Sequence, residues 1–171
     1  FLIGGHYTAA QVIPTIVAEM AGGVAGGIIV YFLYSNHWAA TDDPGLKLAV
    51  FSTGPARRDV FANFITEVIA TFFLIMGIQV IVKAMGSNEV NVFLLPFMIG
   101  GLLYVLGAGM GGPTGYGMNP ARDMGPRIAH AILPIPGKGS NDWQYGLSVA
   151  TAGPFAGAIV AYVLWSFVAG F

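Results

Sequence analysis

The sequence predicts an all-α membrane protein, and three observations carry that reading. Apolar residues make up 56% of the 171 positions and charged residues only 9%, against about 25% charged in a soluble domain. Four apolar stretches approach the ~20 residues that a helix needs to cross a bilayer. A fifth, "GYGMNPARDMGPRIAHA" at Gly115–Ala131, mixes asparagine, arginine and aspartate into this apolar setting and is too short to span. Helices are the only plausible spans, because an open sheet edge cannot be satisfied in lipid. The length is that of one domain.

The same totals exclude several function classes. A net charge of −1 without a basic stripe gives no basis for nucleic-acid binding. The absence of cysteine rules out disulfides and thiolate chemistry. His6, His37 and His130 show no ligand spacing and read as structural or solvated, so neither a metal nor a cofactor is expected. The first residue is Phe1, and no charged n-region precedes an apolar core, so no signal peptide is expected. The chain is expected to be a fragment that lacks an upstream part.

In chain order, the first span covers about Val12–Tyr34. Ser35–Arg58, with Asp42, Asp43, Pro44, Lys47, Gly54 and Pro55, reads as a long exposed loop. The second span covers about Phe61–Ala84, a short polar turn follows at Gly86–Asn91, and the third span covers about Val92–Met110. "GAGMGGPTGYG" is expected to be too rich in glycine to continue that helix. "PIPGKGSND" at Pro134–Asp142 reads as a surface loop, and the fourth span covers about Tyr145–Ala169. Gly22, Gly23, Gly26 and Gly27, and then Gly153 and Gly157, fall at spacings of four, which let helix backbones approach closely. Tyr7, Trp38, Trp143 and Trp165 lie near span ends, where an interfacial aromatic belt would sit. Met76, Met85, Met98 and Met110 read as lipid or core contacts.

An internal repeat joins the ends of the chain. "AGGVAGGIIVYFL" (Ala21–Leu33) and "AGPFAGAIVAYVL" (Ala152–Leu164) agree at seven of thirteen positions, with glycine, alanine and tyrosine in register. Equivalent helices in two structural repeats are a habit of membrane transport folds. On this reading the first repeat is cut off at its beginning.

Pro120–His130 forms a helix of only about 16 Å at 1.5 Å per residue, half of a ~30 Å hydrocarbon core. The expectation is a re-entrant loop whose irregular part lines a cavity. Asn119 is a good N-cap, and Pro120 suits the first helical position. The Asn119 oxygen can hold helix-end N–H groups while its NH₂ still donates. Arg122 stands in the first turn, where the dipole is already positive and a cation is disfavoured; Asp123 fits that position and offsets part of the charge. Pairing of Arg122 with Asp123 or another acid is the purely structural alternative. A helix N-terminus with a guanidinium repels cations, including hydronium. The same groups donate to neutral hydroxylated solutes, while the backbone at Gly115–Met118 offers carbonyl acceptors.

"MNPARDMGPRIA" resembles the second asparagine–proline–alanine motif of the aquaporin superfamily, in its glycerol-facilitator branch, and the likeness extends along the whole chain. It implies an aquaporin-like helical bundle of inverted repeats with a re-entrant half-helix: helices three to six plus the second half-helix, without the first two helices and the first motif. Phe1–Gly5 would be the tail of the first half-helix. The resemblance makes Asn119, Pro120 and Ala121 the pore-centre motif and Arg122 and Tyr116 the selectivity filter. Gly115, Gly117 and Met118 become pore-lining carbonyls. Asp123 is associated with polyol-permeable members, where it gives the filter loop room. Glu67 would hold the backbone of the re-entrant loop, the alternative being an exposed interfacial glutamate. Glu19 would support the other loop. Ahead of Pro154 the polyol branch carries Pro-Leu-like residues and the water branch bulky aromatics; Ala150 and Thr151 match neither. Lys47, Arg57 and Arg58 would place the long loop in the cytoplasm by the positive-inside rule, whereas the family topology, which we follow, places it outside.

The function these readings imply is passive diffusion of glycerol and other small neutral solutes, with water, through a multi-pass channel of the cell membrane, without a cofactor and as a homotetramer in the lipid bilayer. A water-selective pore is the alternative within the class. A secondary transporter coupled through Glu19 or Glu67 is the alternative outside it. An intramembrane enzyme would need an assembled nucleophile–base pair or metal set, against which the missing cysteine and scattered histidines argue.

Overall fold

The computed structural model describes residues 7–86 and 89–169, with side chains at 7–86 and 93–169. The proposed half-helix tail Phe1–Gly5, together with His6, lies outside the described residues. Among the described residues there are seven helices: α1 (Ala9–Leu33), α2 (Pro44–Ala49), α3 (Val60–Met85), α4 (Glu89–Thr114), α5 (Pro120–Ile132), α6 (Trp143–Ser148) and α7 (Ala152–Ala169). Among the described residues, four stretches are long and apolar enough to cross a membrane: Ala9–Leu33, Val60–Met85, Phe93–Thr114 and Trp143–Ala169. The chain divides into two compact units, one of residues 1–54 and 119–151, the other of residues 55–118 and 152–171.

Local chemistry sets several of the helix starts. Asp43 accepts the Gly45 amide at 2.7 Å and Asp59 the Ala62 amide at 3.0 Å, opening α2 and α3. Each takes one of the donors that a helix N-terminus leaves without an intrahelical partner. Gly86 ends α3 at φ 63°, a left-handed conformation that costs glycine little.

In the first unit α1 packs against α5. The crossing is close because small residues meet small residues. A Cβ on Gly23 would come within 2.9 Å of the Ala121 carbonyl oxygen and 3.1 Å of the Gly125 Cα. One turn further on, Gly27 faces the Ala129 methyl. Both helices thus offer small residues at a spacing of four. Gly22 and Gly26 point away, with nothing within 4 Å, so only half of the glycine stripe serves this contact. Beside it lies a core of Trp38, Phe51, Ala129 and Ile135. Trp38 is 4% exposed, stacks on Phe51 at 5.6 Å between ring centroids, and donates to the Tyr31 carbonyl at 2.8 Å. It therefore belongs to a core and not to an interfacial belt. Lys47 is also buried, and its ammonium donates to the Pro136 carbonyl. The expected long exposed loop is accordingly a folded segment with its own helix, α2.

In the second unit α3 packs against both α4 and α7. Gly153 and Gly157 of α7 lie against Glu67 and Thr71 of α3, where added Cβ atoms would reach 2.7 Å and 2.9 Å from the facing Cβ atoms. Gly77 of α3 makes room for Leu102 of α4. Ala70, Leu74, Leu106 and Met118 form the buried core.

Two expected boundaries are corrected. The glycine-rich run does not end the third span: α4 continues through Gly107–Gly112 to Thr114, since neighbouring side chains offset weak propensity there. The expected span Tyr145–Ala169 is broken at 149–151, between α6 and α7. The half-helix also runs two residues beyond His130, to Ile132.

Gly125 has little room to grow, because its Cβ would come within 2.8 Å of the Gly23 Cα, a backbone atom. Gly125→Val is predicted to cost about 1–3 kcal/mol, the usual cost of overpacking. The readout is a lower melting temperature of the purified protein in detergent; an unchanged melting temperature would contradict the close crossing.

Candidate functional site

The short segment between α4 and α5, together with the first turn of α5, holds most of the residues that the sequence singles out. On the α4 side the backbone is unusual. Gly115, Tyr116 and Met118 have φ of 78°, 46° and 48°, and the two non-glycine residues cost about 1–2 kcal/mol each in that region. What holds them is Glu67, fully buried on α3. Its two carboxylate oxygens accept the Gly117 amide at 2.9 Å and the Met118 amide at 2.7 Å. Gly117 permits this approach, since a Cβ there would meet Glu67 Oε2 at 3.0 Å. An exposed interfacial role for Glu67 is excluded by its burial.

Tyr116 is 41% exposed, and its ring lies across the glycines of α4. A Cβ on Gly111 would come within 2.7 Å of the ring and one on Gly107 within 3.6 Å. The glycines that look like helix breakers in the sequence are the bed on which this aromatic ring rests.

On the α5 side Asn119 is extended, at φ −149° and ψ 117°, and its side chain accepts from the Ala121 amide at 2.8 Å and the Arg122 amide at 3.4 Å. Pro120 occupies the first helical position, where its missing N–H is no loss. The cap leaves the Asn119 NH₂ as a donor. Ala121 is buried and Arg122 exposed. As a helix of 13 residues, α5 rises only about 20 Å, shorter than a hydrocarbon core.

Asp123 is fully buried, and its partner is Arg127, one turn along, not Arg122. Arg127 Nε donates to Asp123 Oδ1 at 2.8 Å and Nη2 to Oδ2 at 3.0 Å. Thr53 adds its amide at 2.7 Å and its hydroxyl at 2.6 Å, both to Asp123 Oδ2. Arg127, equally buried, was not singled out from the sequence, although the spacing of four from Asp123 was legible as a helix pair. Thr53 carried no signal, because it lies 70 residues away in sequence. At the far end of α5, Lys138 donates to the carbonyls of His130 at 2.9 Å, Ala131 at 2.6 Å and Leu133 at 2.8 Å, a cationic cap where the dipole favours one. His130 is buried, with Nδ1 2.7 Å from the Asn141 amide oxygen. Glu19 is exposed on α1 and makes no hydrogen bond or ion pair among the described residues.

The comparisons with known proteins agree in kind. The sequence profile of the major intrinsic protein family matches residues 1–165. A relative from Bacillus subtilis (strain 168), named a glycerol uptake facilitator protein, is 46% identical over 95% of this chain and 57% of its own length. Glycerol uptake facilitator protein 3 of Lactiplantibacillus plantarum is 45% identical over 96% of this chain and 66% of its own. The chain thus spans about three-fifths of the length of these relatives. The X-ray structure of the aquaglyceroporin from Plasmodium falciparum shares the fold, with a TM-score of 0.82 at 22% identity over 97% of this chain and 67% of that one.

Replacement of Glu67 by glutamine would leave one oxygen and turn an NH₂ toward a second N–H. Glu67→Gln is predicted to cost about 1–3 kcal/mol for the buried amide left without an acceptor. The check is amide hydrogen exchange, expected to speed up at Gly117 and Met118; unchanged protection at both would show that the carboxylate does not hold this backbone.

Proposed function

The chain belongs to the major intrinsic protein family, and from that premise we propose that the protein is a channel for the passive diffusion of glycerol and other small neutral solutes, together with water. It is a multi-pass membrane protein with four apolar spans. The observation that carries the proposal is the chemistry of residues 115–122. Glu67 takes the Gly117 and Met118 amides, so carbonyls are the groups this backbone offers to a solute. Asn119 caps α5 with its oxygen and offers its NH₂, and Arg122 offers guanidinium donors from the first turn. A polyol hydroxyl both donates and accepts, and this short length of chain supplies both complements. The family resemblance supports Tyr116 and Arg122 as the selectivity residues. Asn119, Pro120 and Ala121 form the pore-centre motif. The helix dipole and Arg122 together make the passage unfavourable for cations. No cofactor or covalent step enters. The names of the relatives, both glycerol uptake facilitators, support glycerol as the solute, and the family resemblance supports a homotetramer with one pore per subunit.

Ion coupling through Glu67 is disfavoured by one observation. A coupling carboxylate has to exchange protons or ions, and both oxygens of Glu67 are already engaged by backbone amides.

The test is solute flux into liposomes that hold the full-length protein. Glycerol entry is expected to follow the glycerol gradient alone and to ignore an imposed proton or sodium gradient; flux that needs either gradient would overturn the channel reading, and water flux without glycerol flux would make the pore water-selective. Arg122→Ala is expected to raise cation leak at least about tenfold, since a unit charge at 4 Å is worth ~4 kcal/mol at an effective dielectric of 20. Unchanged leak would remove Arg122 from the filter.

A further inference from the structure

Arg127 uses every donor it has. A guanidinium carries five N–H groups in a fixed fork. Here Nε and Nη2 hold Asp123 at 2.8 Å and 3.0 Å, Nη2 also reaches the Thr53 carbonyl at 2.8 Å, and Nη1 reaches the carbonyls of Asn141 at 2.7 Å and Asp142 at 3.2 Å. The Asp123 carboxylate is equally occupied, by two donors from Arg127 and two from Thr53. Both side chains are fully buried. Gly146 of α6 lies so close that a Cβ there would come within 2.7 Å of Arg127 Nε. One ion pair therefore joins the first turn of α5 to the chain at Thr53 and to the loop before α6.

We infer that Arg127 is a positioning residue for selectivity: it holds Asp123, and through Asp123 it fixes the first turn of α5, which carries Asn119 and Arg122. The inference rests on the channel reading and deepens it. Asp123 follows Arg122 directly, so any freedom of Asp123 is passed to the backbone that aims the Arg122 side chain. If the pair served stability alone, a hydrophobic replacement would do as well, since buried ion pairs are often no more stabilising than apolar residues of similar volume. What the fork supplies is direction, because it ties one helical turn to three carbonyls and a carboxylate at once. Lysine keeps the charge and can still reach Asp123, but its single ammonium cannot hold that set together.

Two readouts on the full-length protein test this. The first is amide hydrogen exchange at Thr53 and at Ala121–Asp123. The second is the ratio of glycerol flux to the flux of a linear five-carbon polyol in liposomes. Arg127→Gln is expected to speed exchange at those amides and to lower the flux ratio on the order of tenfold, a loss of ~1.4 kcal/mol in discrimination. Arg127→Lys is expected to shift both in the same direction by less. Asp123→Asn combined with Arg127→Gln should do no more than Arg127→Gln alone, because Arg127 acts through Asp123. If Arg127→Gln does not fold, Arg127→Lys and Thr53→Val, which removes only the hydroxyl donor to Asp123, carry the same expectation. Faster exchange with an unchanged flux ratio overturns the inference and leaves a purely structural ion pair; unchanged exchange overturns it at the first step. A wild-type protein that passes neither polyol contradicts the channel reading instead, and the exchange result still decides whether Arg127 anchors the turn.

Discussion

A chain inside a hydrocarbon layer can leave the helix only where something other than water takes up its backbone hydrogen bonds. Residues 115–119 leave the helix between α4 and α5, and the side chains that answer this constraint are few. Glu67 takes two amides, Asn119 takes two more, and the Asp123–Arg127 pair anchors the turn that follows. Each device binds N–H groups or neutralises a buried charge. In the proposed function, carbonyl oxygens and the donors at the tip of α5 are the groups that serve a solute. The chemistry proposed for the pore follows from how the backbone is satisfied.

The same constraint gives the charges separate tasks. Asp123, adjacent to Arg122 in sequence, is bound to Arg127 and Thr53, so it does not neutralise the arginine beside it. Arg122 keeps a positive charge at a helix end that is already positive. At the opposite end of α5, Lys138 binds three carbonyls, where a cation is favourable. The half-helix thus carries cations near both ends, and at the C-terminal end Lys138 closes off three acceptors.

Much of this was legible in the sequence where the signal is local. The spans follow from apolar length, the start of α5 from Asn119 and Pro120, and close helix packing from glycines at spacings of four, although not which helices meet there. The pairing of Asp123 with Arg127 has the same spacing, but the arginine next to the aspartate in sequence competes with the one a turn away as its apparent partner. Other features have no local signal. Thr53 meets Asp123 across 70 residues, Lys47 is buried by a carbonyl 89 residues away, and Trp38 turns inward because Tyr31 and Phe51 receive it. Gly107 and Gly111 read as helix breakers because propensity counts only the backbone; their use, as a bed for the Tyr116 ring, exists only once the chain has turned back on itself.

The central claim is that α5 enters the membrane tip first, with Asn119 and Arg122 at its inner end. Because the chain has no cysteine, single nitroxide labels can be placed through Arg122→Cys and Ile132→Cys, both at exposed positions, and their depths in the bilayer measured by paramagnetic accessibility. The two sites are ten residues apart, a rise of about 15 Å along the helix. The account predicts that the label at 132 lies near the headgroups and the label at 122 deeper by about that distance. Equal depths, with both labels at the bilayer surface, would contradict it.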